Sequence, residues 1–193
     1  MPPFEVERLN RRFEKLDEIA AQNVEKNLPN QELLKMENVE GSGLPADTVS
    51  LYEETYLLTS MGLASASMIL QGVLMENLCH SIYFQNEEER FKGNFKKLIE
   101  ELEDDLKEKH IDFLQDLRKF ERNTRVHSDW DDMRDKFTAL KPIFDGMTEK
   151  EQREFGGIAW RQLDKAQFAD SFRKCHEIVE FSFGKFWNVE PEQ

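Results

Sequence analysis

The fold of this chain turns on Thr55–Met75, TYLLTSMGLASASMILQGVLM, a run of twenty-one residues without a charge. By length alone it could cross a bilayer, for which about 20 apolar residues suffice. Thr55, Thr59, Ser60, Ser65, Ser67 and Gln71 dilute its apolarity, however, and no cationic flank marks an inside end. The run therefore reads as the buried centre of a helical bundle, broken near Ser60 to Gly62. Asp47 and Thr48 offer N-caps ahead of it, and the helical pattern continues to about Gln85. Ala64, Ala66 and Gly72 are small enough to let neighbouring helices come close. Glu76 closes the uncharged stretch and needs either a partner or solvent.

Composition sets the outer bounds. With 193 residues, 39% hydrophobic and 34% charged, there is apolar material for one real core. The expected division is an N-terminal amphipathic helix and linker over 1–45 and a helical bundle over 46–193. The 39 acidic against 26 basic residues, net −13, argue against wholesale coating of DNA or of an anionic membrane. A nucleic-acid role would need a local basic site. Cys79 and Cys175, with no secretory signal before them, fit a reducing cytoplasm and read as small buried apolar residues.

Outward from the centre, Leu9, Phe13, Leu16 and Ala20 recur at spacings of four, three and four, which predicts an amphipathic helix over 4–28. Pro29-Asn30 closes it, and the run to Pro45 reads as a linker. Past a charged turn at Asn86 to Arg90, Phe95, Leu98, Ile99, Leu102 and Leu106 predict one helix from Phe91 to about Lys109. Its acids, Glu100, Glu101, Glu103, Asp104 and Asp105, spread round that helix as a solvated face rather than a metal site. Thr148 and Glu151 form a capping box for a short helix stopping at Gly156-Gly157. A last helix, Leu163 to Phe186, buries Phe168, Phe172, Cys175 and Val179. Phe181, Phe183 and Trp187 make its end aromatic all round, either packed on two sides or forming a subunit interface.

The chemistry is concentrated in Leu117–Trp130, LRKFERNTRVHSDW. Arg118, Lys119, Arg122 and Arg125 against Glu121 make a local excess of positive charge in an acidic chain. A helix from Ile111 to about His127 would bury Phe113, Leu114, Leu117 and Phe120. At about 100° per residue, Arg122 and His127 point roughly 140° apart, so one phosphate is hard for both to reach on a single straight helix. Two copies about a two-fold axis would bring the arginine flank of one near the histidine of the other, which is a reason to expect a homodimer.

Arg122-Asn123-Thr124-Arg125-Val126-His127 resembles the R-x4-H signature of the HEPN superfamily. The order of helices from about Asp47 to Phe186 is similar to the HEPN helical bundle as well. The resemblance implies an all-α, usually dimeric fold and, in catalytic members, a metal-independent endoribonuclease leaving a 2′,3′-cyclic phosphate, often a toxin or defence factor. It would give Arg122 the scissile phosphate, Asn123 the polar position after the arginine, and His127 the proton transfers. Arg118, Lys119 and Arg125 would steer and hold the RNA backbone. No cofactor or metal is implied. The tyrosine that members paired with a nucleotidyltransferase antitoxin often carry two residues after the histidine is Asp129 here, so any antitoxin or regulatory partner would be of another kind.

Some HEPN-like domains are noncatalytic binding or assembly modules, and that is the alternative. On it, His127 is a helix C-terminal histidine and the arginines pair with Glu121 and nearby aspartates on the surface. Asp129, Asp131 and Asp132 would repel RNA phosphates unless they orient the imidazole. Cys79-His80 and Cys175-His176 invite zinc, yet adjacent helical residues point about 100° apart and no CxxC or HxxxH spacing is present.

Overall fold

The structure, a computed structural model, describes residues 26–28, 44–118 and 146–189, with the backbone alone at 149 and 152–163. The protein is an all-α helical bundle, with no strand among the described residues. Its helices are α1 (Ala46–Ser60), α2 (Ala64–Glu87), α3 (Phe95–Glu101), α4 (Glu108–Asp116) and α5 (Glu149–Trp187).

The uncharged stretch makes most of α1 and the first half of α2, joined by a tight turn. Leu63 N–H donates to the Leu58 carbonyl at 3.0 Å and Gly62 N–H to that of Thr59 at 3.0 Å, the paired bonds of a Schellman stop. Gly62 takes φ +73°, the left-handed conformation this stop requires, and a Cβ there would stand 3.3 Å from Asn27 Nδ2. Gly62→Ala is therefore expected to destabilise the fold by about 1–2 kcal/mol, read as a lower urea midpoint.

Polar residues inside the stretch are buried because each finds a bond. Thr55 Oγ1 donates to the Leu51 carbonyl at 2.6 Å, Thr59 to that of Thr55 at 2.7 Å, and Ser60 to that of Tyr56 at 2.8 Å. Across the hairpin the Thr59 and Ser67 hydroxyls meet at 2.6 Å, and Gln71 Nε2 donates to Ser67 at 2.9 Å and to the Phe168 carbonyl of α5 at 3.0 Å. This ladder is what lets an uncharged, hydroxyl-rich segment serve as a core. No described helix is long and apolar enough to cross a membrane.

α1, α2 and α5 pack side by side. Thr48 contacts Asn77 and Ser81 at one end of the α1–α2 hairpin while Thr59 meets Ser67 at the other, so the pair is antiparallel. Ser65 reaches Asp164 and Gln71 reaches Phe168, which sets α5 parallel to α2. The core between them holds Tyr52, Leu74, Met75, Leu78, Ile82, Leu98, Ile99, Phe172 and Val179. Leu28 joins it from the N-terminal side, and Asn27 donates to the Ser60 carbonyl at 3.3 Å. The rest of the expected 4–28 helix, and the linker up to residue 43, lie outside the described residues.

Three boundaries differ from the sequence reading. The α1 N-cap is Pro45, with no side-chain cap bond from Asp47 or Thr48; Thr48 is instead buried, bonding Asn77 at 2.5 Å. The expected helix over 91–109 is divided: α3 ends at Glu101, and the chain turns through Leu102–Leu106 before α4. Asp105 anchors that turn, its carbonyl accepting from Lys185 Nζ at 2.6 Å and its carboxylate from Asn86 at 2.6 Å and Lys185 at 3.1 Å. The Thr148–Glu151 capping box opens α5, but the helix runs through Gly156 and Gly157 for 39 residues to Trp187. A helical glycine costs only about 1 kcal/mol against alanine, and glycine stops a helix only where the backbone turns left-handed. That happens at Asn188, with φ 53°. Phe183 and Trp187 lie in the core, which settles the aromatic end of α5 as internal packing.

Candidate functional site

The arginine-rich stretch follows α4 in sequence, and the structure describes α4 and the chain as far as Arg118. Lys109 pairs with Glu177 of α5, and Lys174 of α5 sits 5.4 Å over the Phe113 ring. As residue numbers rise on α4 they fall on α5, so α4 is antiparallel to α5. The C-terminal end of α4 therefore points away from the Trp187 end of α5.

Two apolar anchors, Leu114 and Leu117, hold α4 in the core. At Leu117–Arg118 the helix widens into a π turn, a local irregularity of the helix end. Arg118 is half-buried there, its Nε donating to Gln115 Oε1 at 3.3 Å. Of the six residues assigned to RNA binding and catalysis, Arg118 is the one the structure describes. Lys119, Arg122, Asn123, Arg125 and His127 lie outside the described residues, as do Asp129, Asp131 and Asp132.

The residue on α4 that pattern-reading missed is His110. Its ring is 2% exposed, edge-on to Phe181 at 5.0 Å, and neither nitrogen has a hydrogen-bond partner. Glu177 Oε1 is 3.8 Å from Nε2, an electrostatic contact too long for a hydrogen bond. Lys107, whose ammonium lies 4.5 Å over the Phe181 ring, and Lys109 add positive charge nearby. Burial pushes the His110 pKa below its ordinary 6.5, with Lys107 and Lys109 acting the same way and Glu177 opposing. An isolated histidine between Lys109 and Ile111 carries no periodic signal of burial, so only the packing of α4 on α5 shows that it is buried.

His176 is a second buried imidazole, its Nδ1 2.7 Å from Tyr52 Oη and its ring beside Phe172. Burial lowers its pKa, and Glu180 opposes the shift. Both histidines thus bind a proton less readily in the fold than in the unfolded chain, which takes up protons below about pH 6.5. The folded state then binds fewer protons than the unfolded one, so stability is full above pH 6.5 and falls as pH drops below it. Glu151 and Glu177, whose pKa values lie below the ordinary 4.5, add their losses only in stronger acid. Urea midpoints at about pH 7.5 and 5 check this: the midpoint falls, and falls less in His110→Leu.

Cys79 and Cys175 are buried free thiols whose pKa values burial pushes far up. Among the described residues no group of three or more His, Cys, Asp or Glu side chains stands close enough to hold a metal. Of the acidic run, Glu100, Glu101, Glu103 and Asp104 are exposed, and Glu100 pairs with Lys96 at 3.5 Å.

A cleft of about 660 Å³ opens between the start of α1, the end of α2 and Trp187. Asn77, His80, Ser81, Phe84, Arg90 and Phe91 shape it. No family model, no curated protein and no solved structure matches the chain.

Proposed function

We propose that this protein is a metal-independent endoribonuclease of HEPN type, acting as a homodimer in the cytoplasm, in a toxin or defence role. The reading is carried by one observation, the spacing Arg122-x4-His127 in a locally basic stretch that follows a helix of an all-α bundle in sequence. In that chemistry His127 takes the proton from a ribose 2′-hydroxyl, whose oxygen attacks the adjacent phosphorus and expels the 5′-oxygen. Arg122 meets the developing charge on the phosphorane with two donors. Asn123 is the polar neighbour of that phosphate, and Arg118, Lys119 and Arg125 hold the RNA strand on either side. An antitoxin or other regulatory protein would act by covering this surface.

A second reading is a noncatalytic helical binding module, and Asp129, Asp131 and Asp132 favour it by placing negative charge immediately after His127. One experiment separates the two. Purified protein is incubated with a mixed RNA pool in excess chelator, and the fragment ends are analysed. Fragments ending in 2′,3′-cyclic phosphate are the expected result. Intact RNA at high protein concentration would leave the binding-module reading standing.

A further inference from the structure

The cleft between the start of α1, the end of α2 and Trp187 is built by a chain reversal. Glu88 stops α2 in the left-handed conformation, φ 55°, and its N–H donates to the Phe84 carbonyl at 2.9 Å. The chain then folds back and sets Phe91 edge-on to Tyr83 at 5.0 Å and tilted against His80 at 6.2 Å. Gly93 leaves space for that ring, since a Cβ there would stand 2.5 Å from it. Phe91 thus forms one wall of the cleft, and Phe84 and Trp187 line it as well. The three rings do not touch one another among the described residues: Phe91 meets His80 and Tyr83, Trp187 meets Phe183 and Phe186, and Phe84, 53% exposed, meets no ring. Rings that line one space without meeting leave a slot for a flat apolar body.

Polar groups on the same cleft are left without partners in the fold. The Asp47 carboxylate and the Arg90 guanidinium pair neither with each other nor with another group among the described residues. Asn77 is fixed, because the fully buried Thr48 donates to its Oδ1 at 2.5 Å. That bond leaves the Asn77 amide N–H groups as oriented donors with no acceptor among the described residues. The cleft therefore offers an anionic acceptor and a cationic set of donors that are too far apart to neutralise each other. A lone anion is opposed by a chain of net charge −13, and a lone cation by Arg90. A ligand carrying both signs meets neither obstacle.

We propose that this cleft binds a free aromatic amino acid. Its ring fills the slot between Phe84, Phe91 and Trp187, its α-ammonium meets Asp47, and its α-carboxylate accepts hydrogen bonds from Arg90 and the Asn77 amide. The ammonium and carboxylate flank a single carbon, so together they bridge two side chains that do not pair directly. The cleft volume of about 660 Å³ lies within the range of about 300–1,000 Å³ typical of small-molecule sites. Because the cleft joins the start of α1 to the ends of α2 and α5, bound ligand should also raise the thermal midpoint. This inference stands apart from the nuclease proposal, since it uses neither Arg122 nor His127.

Titration calorimetry of the full chain with L-tryptophan and L-phenylalanine, up to about 10 mM, tests it. Both should bind saturably, one per chain. Three probes each lack one element: L-leucine has no ring, L-tryptophan amide no carboxylate and indole-3-propionate no ammonium. Each should bind about tenfold more weakly than L-tryptophan, or worse. Arg90 and Asp47 are exposed, so Arg90→Gln and Asp47→Asn should keep wild-type helical content. Arg90→Gln should lose the preference for L-tryptophan over its amide and keep the preference over indole-3-propionate, and Asp47→Asn should do the reverse. General damage to the fold would not produce that crossed pattern. Absence of saturable binding by both amino acids, or L-tryptophan affinity unchanged in both variants, would overturn the proposal. Indole-3-propionate or the amide binding wild type as tightly as L-tryptophan would overturn the assignment of a zwitterion.

Discussion

Phe172→Ala should lower the unfolding free energy by about 4 kcal/mol, a large part of the roughly 5–15 kcal/mol that holds such a domain together. Phe172 is fully buried at the seam of α1 and α5. Its ring stacks on Tyr52 at 6.0 Å and 24°, and meets Tyr56 edge-on at 5.9 Å and 63°. Truncation removes these contacts and opens a cavity that the hydrogen-bonded Tyr52 and His176 cannot collapse into without breaking their own bond. Tyr52→Phe keeps the ring and removes only the hydroxyl. It should cost about 1–2 kcal/mol, because His176 Nδ1 then loses its partner inside the fold. The two changes touch one cluster, so their effects should not add. Urea titration followed by circular dichroism reads all three variants; a loss below about 1.5 kcal/mol for Phe172→Ala would mean the seam does not depend on this ring.

That seam shows which parts of the fold the sequence made readable. The stripe of Phe168, Phe172, Cys175 and Val179 announces a buried helix face, and the structure buries all four. The break in the uncharged run was readable too, since Gly62 is the residue type that a left-handed helix stop favours. What the pattern could not carry is any element whose limits depend on a distant partner. The stripe through Leu98, Leu102 and Leu106 suits one long helix, yet Lys185, 80 residues from Asp105, holds the turn that divides it. Gly156 and Gly157 permit a stop without imposing one, and α5 passes straight through them. Burial of His110 depends likewise on Phe181 and Glu177, which sequence places far from it. At the candidate site, sequence supplies residue types and spacing, while the structure supplies the helix that leads in and the π turn at Leu117–Arg118.

If the stretch beyond that turn cleaves RNA as proposed, Arg122→Ala and His127→Ala should each abolish most of the activity, for separable reasons. An imidazole acting as general base contributes typically about 10²–10⁴ in rate, so His127→Ala should fall by that factor and lose the rise with pH that deprotonation of the base gives. Arg122→Ala removes charge from the phosphorane and should cost about 10²–10³, leaving the shape of the pH profile unchanged. Arg122→Lys keeps the charge and loses the two-donor geometry, so it should recover only part of the rate. Because both groups serve one transition state, the double variant should be little slower than the worse single one. Arg118→Ala, by contrast, should weaken RNA binding and its salt dependence with little change in turnover of bound RNA. Single-turnover cleavage across pH, with excess chelator and equal helical content in every protein, separates these outcomes. Cleavage that survives in both Arg122→Ala and His127→Ala would remove these residues from the chemistry and leave the stretch as a charged binding surface.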